Sequence, residues 1–183
     1  MSLLILALTL FILDAASSAR LWEFEPLSFE GTSSDPAKLN IDLAIERIKR
    51  GEFAMNGIID CKYDMDETTM VEGIFLRSNT GDEDDYKLMP WSIPKQSFKA
   101  FVASYYENVA LKNVGYCSNL PALENADPWP RDVYKFENCV YTGDGLPEVA
   151  PEGFYKVTFI FTGEVEWTFT AKSKVTLKMD LYG

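Results

Sequence analysis

Histidine is absent from the 183 residues, so any chemistry must rest on carboxylates, thiols, hydroxyls and amines. That removes Ser-His-Asp and Cys-His nucleophilic catalysis, His-ligated metals and the usual general base near neutral pH. Carboxylates are plentiful, and Asp82-Glu83-Asp84-Asp85 together with Asp64, Asp66 and Glu67 could present oxygen ligands to calcium. The spacing does not make an EF-hand: counting from Asp64, Thr69 stands where the loop needs glycine and Phe75 where the bidentate glutamate belongs. These acids read as solvated loops. Carboxylate pairs able to hydrolyse glycosides arise by chance among 28 acids, and neither a CxxC motif nor a Gly-rich phosphate loop occurs. A non-enzymatic protein with no cofactor and no metal is expected.

Three cysteines allow three single pairings with one thiol left over. Cys117 and Cys139 sit among Pro, Asn and Gly in irregular sequence, where two loop ends could meet, and this pair is favoured. Closing that loop would stabilise the fold by about 3 kcal/mol on the chain-entropy account. Cys61 follows Gly57-Ile58-Ile59 inside a strand-like run and reads as a buried free thiol.

The formal charge of -11 argues against nucleic acid, whose phosphates need Lys and Arg, and against attraction to anionic headgroups. Leu3 to Leu13 is an apolar run of signal-peptide length, too short to span a bilayer, and Ser17-Ser18-Ala19 supplies small residues at a cleavage position. Residues 1–19 are therefore expected to be a secretory signal peptide cleaved after Ala19. Residues 20–183 should form a single β-rich domain, secreted and extracellular. No Asn-x-Ser/Thr sequon calls for N-glycosylation.

The elements that would position these side chains are mostly strands. Leu39, Ile41, Leu43 and Ile45 alternate with polar or small residues, and after Arg50-Gly51-Glu52 the alternation returns through Phe53, Met55, Ile59, Cys61 and Tyr63, an antiparallel hairpin. Leu21 to Phe29 and Thr69 to Arg77 read as further strands, the first interrupted or at an edge because of Pro26. Tyr155, Val157, Phe159 and Phe161 share a parity with Val165, Trp167 and Phe169, so a hairpin facing one core needs an odd-length loop, which Thr162-Gly163-Glu164 fits; a single strand kinked at Gly163 satisfies the same parity. Between about Pro94 and Tyr106, Phe98, Phe101, Val102 and Tyr105 fall at i, i+3, i+4 and i+7, an amphipathic helix with Lys95 and Lys99 wet. Gly115 to Pro151 is dense in Pro, Asn, Asp and Gly and reads as long loops. The fold class expected is mainly β, an antiparallel β-cup or sandwich with one amphipathic helix.

Aromatic residues are 14% of the chain. Their ordinary role is core packing. In a cup that opens between its sheets, Phe98, Phe101 and Tyr105 of the helix with Phe159, Phe161, Trp167 and Phe169 of the last strands would instead wall a cavity for an apolar ligand.

The stretch KYDMDETTMVEGIFLRSNTGDEDDYKLMPWSIPKQSF from Lys62 to Phe98, CSNLP from Cys117, PWP from Pro128 and GDGLPEVAPEGFYKV from Gly143 resemble the insect Che-type chemosensory proteins. That family is similar in turn to the ML-type and ganglioside-activator lipid-recognition proteins, secreted β-cups that shelter an apolar ligand. The resemblance implies a Cys117–Cys139 bond, in agreement with the pairing favoured above, and gives Cys61 no partner. It also implies a hydrophobic small-molecule partner, a lipid or cuticular hydrocarbon, presented to a membrane chemoreceptor in pheromone response. The rival expectation is an extracellular interaction or receptor-accessory protein with a filled core and no ligand.

Overall fold

The computed structural model describes residues 21–178; the expected signal peptide, residues 1–19, lies outside them. Among the described residues, nine strands form two antiparallel sheets. They are β1 (Trp22–Ser33), β2 (Leu39–Lys49), β3 (Glu52–Cys61), β4 (Met70–Ser78), β5 (Lys87–Leu88), β6 (Ile93–Ser97), β7 (Asp132–Cys139), β8 (Gly153–Thr162) and β9 (Trp167–Leu177). The larger sheet runs β1-β9-β8-β4-β5, with β6 also paired to β4, and the smaller runs β2-β3-β7. This is the sandwich with one helix that the alternation predicts.

Register explains why the sheets close on each other. Side chains directly opposite across a ladder share a face, so Val71, Phe161, Trp167 and Ser33 form one inward row and Gly73, Phe159, Phe169 and Gly31 the next. The two phenylalanines of the second row are flanked by glycines. A Cβ at Gly31 would lie 2.4 Å from the Ile41 side chain of β2, so only glycine lets β1 approach the smaller sheet there. In that sheet the expected hairpin pairs Leu39 with Cys61 and Ile45 with Met55. Gly57, at φ 134°, would put a Cβ 2.0 Å from the Asp42 carbonyl oxygen; a side chain there would force β2 and β3 apart.

Pro26 interrupts β1 as expected. The β1–β9 ladder slips between Pro26 and Ser28, and β1 is an edge strand of the larger sheet. The C-terminal pair is a hairpin, with Phe161 opposite Trp167 and Phe159 opposite Phe169, which excludes the single kinked strand. Val165 belongs to the turn rather than to β9, and is fully buried there.

Two expectations are corrected. Gly115 to Pro151 is not loop throughout: β7 pairs with β3 and buries Tyr134, Phe136 and Cys139. Its short alternation was masked by flanking prolines, and Asn138, at φ 53°, bends it at its end. The helix begins later and runs further than Pro94 to Tyr106. Ile93–Ser97 is strand β6, Ser97 caps the helix by accepting a hydrogen bond from the Ala100 amide at 3.2 Å, and the helix, α1, occupies residues 98–114. Its middle, Val102–Leu111, is π-helical, so each turn takes in an extra residue. The stripe counted at α-helical spacing therefore slips by one: Tyr106 is buried at 3% exposure, while Tyr105 is only half-buried.

Candidate functional site

The aromatic residues singled out in the sequence do meet. Phe98 packs against Phe101 and Phe161, with ring centroids 6.1 and 6.0 Å apart, and Phe101 contacts Tyr105 at 5.8 Å and Phe159 at 5.9 Å. Phe161 and Trp167, opposite in register, stack 3.6 Å apart and nearly parallel. Phe169 stacks instead on Phe29 of β1, at 5.4 Å. All seven lie in or against one hydrophobic cluster, with Phe98, Phe101, Phe161 and Trp167 buried and Tyr105, Phe159 and Phe169 half-buried.

Trp129 was not anticipated as a member. It contacts Phe98, Tyr106 and Tyr134 at 5.2 to 5.4 Å and joins the helix to β7. Its neighbours Pro128 and Pro130 suggested only a loop. The phenols beside it are held by backbone: Tyr106 donates to the Pro121 carbonyl at 2.7 Å and Tyr134 to that of Pro130. Burial raises the pKa of both, so they remain neutral donors.

An apolar cleft of about 10 Å³ lies between Pro26 and Phe29 of β1, Phe53 and Met55 of β3, Val114 at the end of α1, Cys139 and Tyr141. None of the seven sequence-chosen residues lines it. Beside it, Cys117 is disulfide-bonded to Cys139, with Cα atoms 5.4 Å apart, tying the end of the helical region to the end of β7. Cys61 is a buried free thiol whose Sγ–H donates to the Tyr63 carbonyl at 3.4 Å; burial raises its pKa, which keeps it protonated and unreactive.

At the other end of the smaller sheet lies a wider, polar depression of about 390 Å³, lined by Lys38, Lys62, Tyr63, Asp64, Asp66, Arg131 and Glu164. Its charges are paired. Arg131 forks onto both oxygens of Asp64 at 2.6 and 2.5 Å, Lys38 meets Glu164 at 2.7 Å, and Lys62 meets Asp60 at 3.0 Å. Arg131 holds the Asp64 carboxyl below its usual range. Asp66 accepts from the Thr68 amide and hydroxyl, which lower its pKa. Tyr63, at 4% exposure, is the buried member of the lining, and its O–H has no hydrogen-bond partner. Burial pushes its pKa up to about 12. Trp167 near the phenol oxygen works in the opposite direction, although its N–H is likewise left without a full hydrogen bond. Residues this far apart in sequence left no local signal for the depression.

The acidic segments do not gather. Asp85 instead accepts from the Ser78 hydroxyl and the Asn79 and Thr80 amides, bracing a turn. Among the described residues no group of three or more acids and cysteines is placed to hold a metal ion, and no helix is long and apolar enough to cross a membrane.

The molecule is thus an antiparallel β-sandwich sealed by one helix and one disulfide. Residues 70–157, from the start of β4 into β8, match the family described as Protein of unknown function (DUF1091). That span holds α1, Trp129 and both bonded cysteines, and it excludes Phe159, Phe161, Trp167 and Phe169. No curated protein matches the chain.

Proposed function

We propose that this is a secreted, non-enzymatic binding protein that shelters an apolar ligand, a lipid or hydrocarbon, between its two sheets and presents it to a membrane chemoreceptor. The observation that carries this reading is the half-exposure of inward side chains in both sheets. Phe29, Phe75, Phe159 and Phe169 of the larger sheet and Ile41, Leu43 and Ile59 of the smaller pack against the core yet are only partly buried, an uneven closure in which a six-stranded sheet faces a three-stranded one. An acyl chain laid along this seam would take the apolar surface that the protein leaves unfilled. Access is through the cleft beside Val114 and Tyr141. Because drug-sized ligands occupy pockets of about 300 to 1,000 Å³, binding requires the end of α1 to part from β1 and β3. The resemblance of the Lys62–Phe98 and CSNLP stretches to chemosensory proteins supports the same reading.

That small cleft volume favours a second reading, an extracellular interaction protein with a filled core. Native mass spectrometry of the protein as secreted, followed by extraction of copurifying lipid, separates the two. A bound apolar molecule, and quenching of Trp167 on titration with palmitate in a chain whose other tryptophans are phenylalanine, are expected of the carrier. If palmitate and a long-chain alkane both leave the protein unchanged, the filled-core reading takes its place.

A further inference from the structure

The turn between β2 and β3 holds the only adjacent pair of basic residues in the sequence, Lys49-Arg50, and that pair closes the tetrad Arg47-Ile48-Lys49-Arg50 ahead of Gly51. In a chain with 28 acids against 17 bases, three cations within four positions call for a reason. Edge strands carry charge to repel stray pairing partners, but that role does not fix the spacing. Basic side chains at the first, second and fourth places before a peptide bond are what the acidic pockets of dibasic endoproteases read. Ile48 falls at the third place, which those pockets leave unspecified.

The structure leaves the tetrad open to such an enzyme. All four residues and Gly51 are exposed, and nothing stands within 4 Å of the place a Cβ on Gly51 would take. Neither arginine has a carboxylate partner among the described residues: the Arg47 guanidinium donates to the Lys49 carbonyl at 3.2 Å, and the ion pair of the turn is that of Lys49 with Glu52, at 2.6 Å. A protease takes its substrate as an extended strand, so the turn must first fray. Little holds it closed. β2 is an edge strand of the smaller sheet, its ladder with β3 slips between Arg47 and Lys49, and beyond Glu46–Ala54 only the Arg47–Phe53 and Lys49–Glu52 pairs remain. The last pairs of an edge ladder open far more readily than the core.

We propose that the Arg50–Gly51 bond is a processing site for a dibasic endoprotease of the secretory route. Water is consumed: its hydroxyl joins the Arg50 carbonyl carbon, the C–N bond to Gly51 breaks, and the Gly51 nitrogen takes the proton and leaves as an amine. β1 and β2 then lie on one piece and β3 to β9 on the other, with the Cys117–Cys139 bond wholly inside the second and Cys61 unbonded. No covalent link joins the pieces, yet β1 stays paired with β9 from Trp22 to Ser33 and β2 with β3 from Leu39 onward, so the cut molecule holds together. The new chain end at Gly51 lies two residues from Phe53, which lines the apolar cleft. The proposal rests on the secreted part of the reading above, since enzymes of this specificity act along the secretory route.

The test is incubation of the purified protein with purified furin, followed by intact mass spectrometry and size exclusion. One cut is expected, giving a piece that ends at Arg50 and a piece that begins at Gly51; they should elute together in native buffer and separate in denaturant without reductant. Arg47→Gln and Arg50→Gln, both at exposed side chains, should each slow the cut at least about ten-fold. A glutamate-specific protease acting after Glu46 or Glu52 reports whether the turn frays at all. If it cuts there and furin does not, the tetrad is not recognised; if neither cuts, the turn stays shut; if furin cuts both variants at the parent rate, the bond lies elsewhere. Each of these results overturns the proposal. A protein that furin cuts at Arg50 but that cells fail to secrete would sink the secreted reading and leave the cleavable bond established.

Discussion

At the start of β3, Phe53 and Met55 face Phe29, Val114 and Tyr141 across a dry seam, braced by the disulfide at Cys139. Beyond the end of the same strand, Tyr63 stands beside a rim of ion pairs and belongs to one core cluster with Leu39, Val71 and Val165, which admit no solvent. One end is apolar, with its closure carried by a helix and a cross-link. The other is polar at its surface and sealed by the strands themselves. The difference teaches where opening is cheap: parting the first end moves α1 and exposes half-buried aromatics, whereas parting the second would break sheet ladders and expose the best-buried residues of the fold.

Substitutions at the helix should give the largest effects. Phe101 is 7% exposed and contacts Phe98, Tyr105 and Phe159, so Phe101→Ala should cost about 3 to 5 kcal/mol of unfolding free energy, measured by urea denaturation. A near-neutral result would mean that α1 does not close the sandwich. Next comes the cross-link at the apolar end. Replacing Cys117 and Cys139 together by Ser should cost about 3 kcal/mol and should speed hydrogen exchange in residues 98–117 more than around Tyr63. Equal acceleration at both ends would erase the distinction between them.

Much of this division was legible in the residues, and the rest was not for identifiable reasons. Strict alternation at Leu39–Ile45 and Tyr155–Phe169 disclosed the hairpins because one face of each is apolar and a slip of one residue would turn it outward. β7 escaped notice because its pattern is short and set among prolines. The helix stripe failed at Tyr105 because counting by α-helical spacing is wrong inside a π stretch. The Cys117–Cys139 bond was read correctly although Cys139 ends a strand rather than a loop. Of the candidate site, the aromatic cluster could be foreseen and the polar depression could not, since Lys38, Tyr63, Arg131 and Glu164 are joined only by topology.

A smaller effect sharpens the contrast between satisfied and orphaned phenols. Tyr106 donates to the Pro121 carbonyl at 2.7 Å, whereas the Tyr63 O–H has no acceptor. Tyr106→Phe should destabilise by about 1 kcal/mol, and Tyr63→Phe should be neutral or stabilising because it deletes an unpaired buried donor. If Tyr63→Phe costs as much as Tyr106→Phe, the hydroxyl is serving a structural bond.

The smallest effect lies on the outer face of the larger sheet, remote from both ends. Lys156 and Lys172 are directly opposite in the β8–β9 register, a like-charge pair that would repel. Glu83 bridges them, one oxygen to each ammonium at 2.6 and 2.7 Å. Hydrogen bonds from Lys156 and then Lys172 pull its carboxyl from 4.5 down to about 2. Because the folded pKa is depressed, the stabilising contribution is complete above the unfolded value near 4.5 and is lost as pH falls toward about 2. Glu83 is exposed, so the effect should be modest and weakened by salt. Glu83→Gln should lower the urea midpoint slightly at pH 7, with the gap to the parent protein shrinking below pH 4.5 and vanishing near pH 2. A gap that stays constant down to pH 2 would show that the ion pairs do not carry it, and would shift the cause to the backbone of the Glu83–Asp85 turn.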